Sequence, residues 1–324
     1  MAFKLSSEQQ ELQRGFRDFA AGRFPIEKVS EMGNGATDAT LWTDLADMGV
    51  FSLRLPESAG GLGLSHVDAV LVFEELGRAL IPGPLVWTHL AAGLVDGAAT
   101  GKTVVTGLDL TSNRHTPLVL EHLEAADVVL VLKTDGVWRI DAGQIEAELV
   151  TTPLDPLTPV HHAAQLPAGE RIADAQSSSA LGLLGATLCA AMLLGISEAT
   201  SDMGVAYAKE RQQFDKPIGT FQAIKHMLAD TFVRQELARA PVYAAAGTLD
   251  HPEVGDIATV VSEAKLVAGE SAMKNARTCV QVHGGMGYTW EVPVHYFLKR
   301  TWVLESTFGT VDEHADRVAA TFGG

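Results

Sequence analysis

Two constellations in the second half of the chain combine residue types able to hold a phosphate. The first runs from Tyr207 to Gln222 and contains Arg211-Gln212-Gln213-Phe214, Pro217-Ile218-Gly219 and Gln222. An arginine followed by side-chain amides, an apolar plug and a tight turn can present a bidentate cation and amide donors to a diphosphate. The same arginine also suits a plain helix-capping role. The second constellation is Gln281-Val282-His283-Gly284-Gly285-Met286-Gly287-Tyr288-Thr289. Its glycines let a ligand approach the backbone closely, and they equally suit a helix-terminating turn. The GGxG follows a helix rather than a strand, which disfavours a dinucleotide-binding βαβ fold.

Other candidates carry less. Glu198 and Asp202 stand at i, i+4 and read as a wet helix edge rather than a catalytic carboxylate pair. Glu305 reads as a solvated residue or an ion pair with Lys299 or Arg300. His161-His162 and the other histidines lack ligand spacing, and Pro293 breaks a metal pair between Glu291 and His295, so no metal site is expected. His283 either touches a ligand or is a buried, hydrogen-bonded histidine.

These residues need scaffolding, and the hydrophobic pattern supplies it. In the first part of the chain, Ser6 or Ser7 with Gln9 or Gln10 makes a capping box for a helix whose Leu12, Phe16, Phe19 and Ala20 share a face. A second helix is expected from Leu41 to Met48 with Thr40 as N-cap, and a third from Val67 to Leu80, capped by Ser65 and stopped by Pro82 and Pro84. From Lys102 to Ile172 short β-branched runs take over, punctuated by Asp135-Gly136 and Asp141-Ala142-Gly143 as hairpin turns. Pro153 to Ala168 reads as a linker. Helices then follow near 177–211, 219–248, 253–283, 293–306 and 311–321, and their short connections imply a bundle. The expected organisation is a helical block at 1–97, a small β block at 98–172 and a helical bundle at 173–324, mainly α overall.

Composition limits the partners. The chain has 324 residues and a formal net charge of −16, which repels nucleic acid and anionic membranes. The uncharged stretch Ala175–Ser197 is long enough to span a bilayer. It is diluted by Gln176, Ser177, Gly182 and Gly185 and lacks asymmetric Lys/Arg flanks, so it reads as an all-round buried helix. Cys189 and Cys279 form no CxxC, and no secretory signal precedes the first helix, so a cytoplasmic location is expected.

Taken in order, the motifs resemble the acyl-CoA dehydrogenase family of flavoproteins. The resemblance rests on Trp42-x-x-Leu45-Ala46-x-Met48-Gly49, Leu55-Pro56-Glu57 with Gly60-Gly61-Leu62-Gly63, Glu74-Glu75-Leu76-Gly77-Arg78, Arg211-x-Gln213-Phe214, Pro217-Ile218-Gly219, Gln222 and Gln281-x-x-Gly284-Gly285-x-Gly287-Tyr288-Thr289. It implies a helical N-domain, a middle β-domain and a C-terminal four-helix bundle, with FAD lying across a subunit interface. It further implies that Arg211, Gln213, Phe214, Gln222, Gln281, Gly284 and Gly285 grip the diphosphate and adenosine part of the FAD seated in a neighbouring subunit.

Two departures qualify what the resemblance implies. No Thr-Glu-Pro-x-x-Gly-Ser type loop occurs between Leu85 and Ile172. The family's catalytic glutamate, which precedes a Gly-Thr pair or sits on the first bundle helix, is replaced by Phe308 and by Gly185 respectively. The expectation is a subunit of a heteromeric α2β2 acyl-CoA dehydrogenase, paired with a full-length homologue and acting on an acyl-CoA, resembling those of actinobacterial steroid catabolism. The alternatives are a self-sufficient homodimer with an atypical base and a flavin-free structural partner.

Overall fold

The computed structural model describes residues 4–32, 38–112 and 116–322. Local signals open most helices. Ser6 Oγ accepts the Gln9 amide while Gln9 Oε1 accepts the Ser6 amide, and this reciprocal box starts α1 (Ser7–Arg23). After α2 (Ile26–Glu31), α3 spans Ala39–Asp47. Its N-cap is Asp38 rather than the expected Thr40, because the Asp38 carboxylate accepts the amides of both Thr40 and Leu41 at 2.8 and 3.2 Å. Ser65 caps α4 (His66–Arg78) as expected. The pattern did not reveal α5 (Leu85–Ala91): its seven residues are all buried, so no polar face marks its period.

The β block holds β1 (Val105–Asp109), β2 (Leu118–Glu121), β3 (Val128–Lys133), β4 (Gly136–Asp141), β5 (Glu148–Leu149), β6 (Val160–Ala163) and β7 (Glu170–Ala173). One sheet has the order β1-β3-β4-β7 and the other β2-β6-β5. The Asp135-Gly136 signal does mark the β3–β4 hairpin. Asp141-Ala142-Gly143 does not make a hairpin; it is a single 3-10 turn that passes the chain from one sheet to the other. Pro153 to Ala168, expected to be a linker, contains β6, the central strand of the second sheet. Its histidines and prolines hid it, since neither favours a strand in isolation.

The bundle consists of α6 (Ala175–Glu210), a ribbon of β8 (Gln212–Gln213) and β9 (Lys216–Pro217), then α7 (Gln222–Asp250), α8 (Ile257–His283), α9 (Val294–Ser306) and α10 (Val311–Ala320). The most apolar 18-residue window of α6 is 72% buried inside the fold, so its transmembrane-like composition serves a core. A Cβ on Gly195 would lie 1.9 Å from the Glu74 carbonyl oxygen, and one on Gly77 would lie 2.3 Å from that of Met192. Helices α4 and α6 therefore pack backbone to backbone, and one apolar core runs from α1 through α4 into α6 and α8. The β block keeps a separate core around Leu120, Val129, Val131 and Ile140.

This packing corrects the reading of Glu198 as a wet edge. Its carboxylate lies 2.9 Å from Arg78 Nη1, 3.3 Å from Arg17 Nη2 and 3.7 Å from Arg239 Nη2. Glu74, wholly buried, accepts from the Tyr243 hydroxyl at 2.7 Å and pairs with Arg239. Glu198 therefore faces α1, α4 and α7, whereas Asp202, one turn farther on, is exposed as expected and pairs with Arg78 at 2.6 Å.

Candidate functional site

Strand-like register between helices decides which motifs meet. The hydroxyls of Ser197 and Ser271 are 2.7 Å apart, and farther along Tyr207 stacks on His283, so α6 and α8 run parallel. Ser201 Oγ lies 2.9 Å from Thr231 Oγ1 while Gly204 approaches Leu228, so α7 runs antiparallel to α6. The C-terminal ends of α6 and α8 and the N-terminal end of α7 consequently share one end of the bundle. Arg211, Gln213, Phe214, Gln222, Gln281, Gly284 and Gly285 are all carried to that end, and all are exposed.

The local geometry there is specialised. Arg211 ends α6 as its C-cap, its amide donating to the Tyr207 carbonyl at 2.8 Å. Phe214 and Asp215 form the two-residue turn of the β8–β9 ribbon with φ of 54° and 60°, a left-handed pair that favours Asn and Gly over Phe. The Phe214 side chain is 85% exposed and meets Phe221 edge to face at 6.1 Å. Helix α7 begins without a side-chain cap, leaving its first amides free at the positive end of the helix. Gly284 takes φ 61° and ends α8. Exposed guanidinium, amide groups and an uncapped helix start suit a diphosphate brought by another molecule.

The second centre lies between the β block and the bundle. The two positions at which the resemblance places a base, Gly185 and Phe308, lie against each other: a Cβ on Gly185 would fall 2.5 Å from the Phe308 ring. The Phe308 ring is 4% exposed and packs on Trp87 with centroids 4.4 Å apart. Its backbone is held in the left-handed region at φ 59°. His314 Nε2 is 3.1 Å from the Phe308 carbonyl oxygen, and buried Lys265 donates to the carbonyl of Thr307 at 2.6 Å. Burial holds His314 neutral, with its pKa lowered to about 4.

Beside this aromatic pair is a cavity of about 280 Å³ lined by Trp87, Leu108, Asp109, Glu121, Thr310 and Glu313 among others, and no basic side chain lines it among the described residues. Burial pushes the Glu121 carboxyl up to about 7, partly offset by Arg300. Trp87, Glu121, Lys265 and His314 carry no motif that marks them in the sequence; it is packing that brings Trp87 onto Phe308 and Lys265 onto the carbonyl of Thr307.

Other expectations can be placed directly. Glu305 faces α8, close to Gly269, and its charged neighbours are Lys265 and Arg277 rather than Lys299 or Arg300. His295 is buried among Trp290 and Tyr296. His283 is the buried, hydrogen-bonded histidine, its Nδ1–H donating to the Cys279 carbonyl at 2.8 Å. Both cysteines are buried and free, and no metal-ligating cluster occurs among the described residues.

Comparison with known proteins identifies the fold and the family. The family model for the acyl-CoA dehydrogenase N-terminal domain matches residues 6–100, and that for the acyl-CoA dehydrogenase C-terminal domain matches 183–322. Acyl-CoA dehydrogenase FadE34 of Mycobacterium tuberculosis is 30% identical over 97% of this chain, which spans 47% of that longer protein. Acyl-CoA dehydrogenase IpdE2 of the same organism is 34% identical over 81% of this chain and 80% of its own length. The fold matches a chain of the ChsE4-ChsE5 complex from M. tuberculosis with a TM-score of 0.82 at 23% identity, covering 100% of this chain and 99% of that one. The expected mainly α architecture is thus the observed one, and the chain belongs to the acyl-CoA dehydrogenase family.

Proposed function

We propose that this chain is a base-lacking subunit of a flavin-dependent, heteromeric acyl-CoA dehydrogenase, whose bundle end completes the FAD site of a full-length partner. The observation that carries the reading is the Phe308 ring lying over Gly185 beneath Trp87. Abstraction of an α proton needs a base within hydrogen-bond reach of the substrate, and both family positions for it are apolar and filled. Bound FAD supplies the acceptor for the hydride that leaves the β carbon. In this reading Arg211 pairs with its diphosphate, Gln213, Phe214 and Gln222 line the adenosine end, and Gln281, Gly284 and Gly285 bring amide and backbone groups to the same region.

Several observations support a partner. Exposed apolar groups, Phe214 at 85%, Tyr288 at 79% and Trp290 at 68%, cluster on the segments that carry these motifs. The related fold in the ChsE4-ChsE5 complex occurs in a two-component assembly. An α2β2 stoichiometry, a cytoplasmic setting and a bulky, steroid-like acyl-CoA belong to the proposal. The test is co-purification with the candidate full-length homologue, followed by FAD quantification from the absorbance of the complex. Stoichiometric FAD and acyl-CoA oxidation only in the complex are expected. A lone chain that carries full FAD and oxidises an acyl-CoA with an artificial acceptor would overturn the reading.

A further inference from the structure

The two cofactor-gripping segments are far apart in sequence, yet one aromatic contact joins their roots. Tyr207 and His283 stack with centroids 4.1 Å apart and planes 24° from parallel. Tyr207 stands one helical turn before Arg211 and accepts the Arg211 amide on its own carbonyl at 2.8 Å. His283 immediately precedes Gly284.

The His283 half of the stack is itself fixed. The His283 Nδ1–H donates to the Cys279 carbonyl, which sets the tautomer, and burial lowers the pKa of the ring so that it stays neutral. The loops then close on this base. The Ile218 amide donates to the Arg211 carbonyl at 2.8 Å, and a Cβ on Gly219 would lie 2.9 Å from the Ala208 carbonyl oxygen. On the other side, a Cβ on Gly287 would lie 2.6 Å from the Val280 carbonyl oxygen and 3.2 Å from His283 Cβ. Both loops therefore seat directly on the residues that flank the stack, and beyond these seats their side chains are exposed.

Resting on the reading given above, we infer that the Tyr207–His283 stack is a positioning joint: it holds the Arg211 loop and the Gly284-Gly285 loop in one fixed relation, as simultaneous engagement of one FAD requires. Two donor sets aimed at one ligand lose affinity steeply when their mutual geometry loosens. The residues act through Arg211 and the glycine loop, without touching the cofactor themselves.

The experiment measures FAD affinity of the assembled complex by equilibrium titration of the apo complex, alongside size-exclusion chromatography and the melting temperature. Tyr207→Leu should weaken FAD binding by about tenfold or more while the complex still forms. Tyr207→Phe and His283→Phe, which keep an aromatic stack, should stay within about threefold of the parent. Wild-type FAD affinity in Tyr207→Leu would overturn the joint, and so would equal losses in Tyr207→Leu and Tyr207→Phe. Should Tyr207→Leu fail to fold, His283→Phe decides: retained FAD supports the joint and lost FAD overturns it. Arg211→Ala is the separate control, since undiminished FAD affinity there removes the underlying reading, whereas its loss with an unaffected Tyr207→Leu removes only the joint.

Discussion

Phe308 and Phe214 have the same side chain and nearly the same left-handed backbone, φ 59° and 54°, yet one is 4% exposed and the other 85%. Around Phe308 everything closes inward: Trp87 and Gly185 receive the ring while Lys265 and His314 bind the adjacent carbonyls. Around Phe214 everything opens outward: the turn projects into solvent beside an exposed Arg211 and an uncapped helix. Backbone strain in the first case is offset by packing within the chain. In the second no internal contact of that size offsets it, which is the pattern expected where a partner or ligand supplies the missing contacts. The difference teaches that positions drawn from one family pattern have been put to opposite uses in one chain, a sealed centre and an unfinished edge.

The largest effect that could break this contrast is at the sealed centre. Phe308→Ala should lower the unfolding free energy of the chain by about 3–5 kcal/mol in urea titration, as expected for emptying a buried aromatic site. FAD content of the complex should stay nearly constant if the centre is structural, and a parallel loss of flavin would merge the two regions. Arg211→Ala should do the reverse. Removing a charge-assisted contact, worth about 1.5–3 kcal/mol, should weaken FAD binding by roughly ten- to a hundredfold while leaving the melting temperature unchanged.

Acid should act on the interior in preference to the edge. Burial lowers His89 and His314 from 6.5 to about 4, so each stays neutral in the fold and gains a proton on unfolding. At each of these histidines the unfolded chain binds more protons between these values, so its contribution to stability is full above about pH 6.5 and falls as pH drops toward 4. By pH 5 the loss should reach about 2 kcal/mol per histidine, measured by urea denaturation. Burial pushes the Glu121 and Glu74 carboxyls up to about 7, which opposes this loss over the same range, so the check is His314→Asn: it should lose about 2 kcal/mol less than the parent between pH 7 and 5, and an identical pH dependence would contradict the neutral clamp on Phe308.

The smallest effect sharpens the contrast most. Phe214→Gly relieves a left-handed residue and should raise stability by about 1 kcal/mol or leave it unchanged. FAD binding by the complex should nevertheless weaken. Improved stability with undiminished FAD binding would mean that the exposed ring has no part in the site.

Much of this was readable in advance. Residues that act through their neighbours in sequence are legible: Ser6 with Gln9, the Ser65 cap and the glycine turn at 284–287 all follow from local geometry. The Arg211 and Gly284 segments are legible as helix ends with turns, and Phe and Gly at 308 and 185 are read directly. Elements whose identity rests on burial were misjudged. Helix α5 has no polar face to show its period, β6 was disguised by histidines and prolines, and Glu198 was read as wet because its arginine partners come from α1, α4 and α7.

The sequence by itself determined the helical ends, the change of period between them, the residue types of the Arg211 and Gly284 segments, and the Phe and Gly at positions 308 and 185. These depend on residue chemistry and on periodicity over a few turns, which neighbouring positions already specify. Only the tertiary structure decided that Phe308 closes over Gly185 under Trp87, that three helix ends converge, and that Tyr207 meets His283. Those facts depend on the direction and register of packed helices, which are set by backbone contacts such as Gly195 on Glu74 and by volume filling across the whole core.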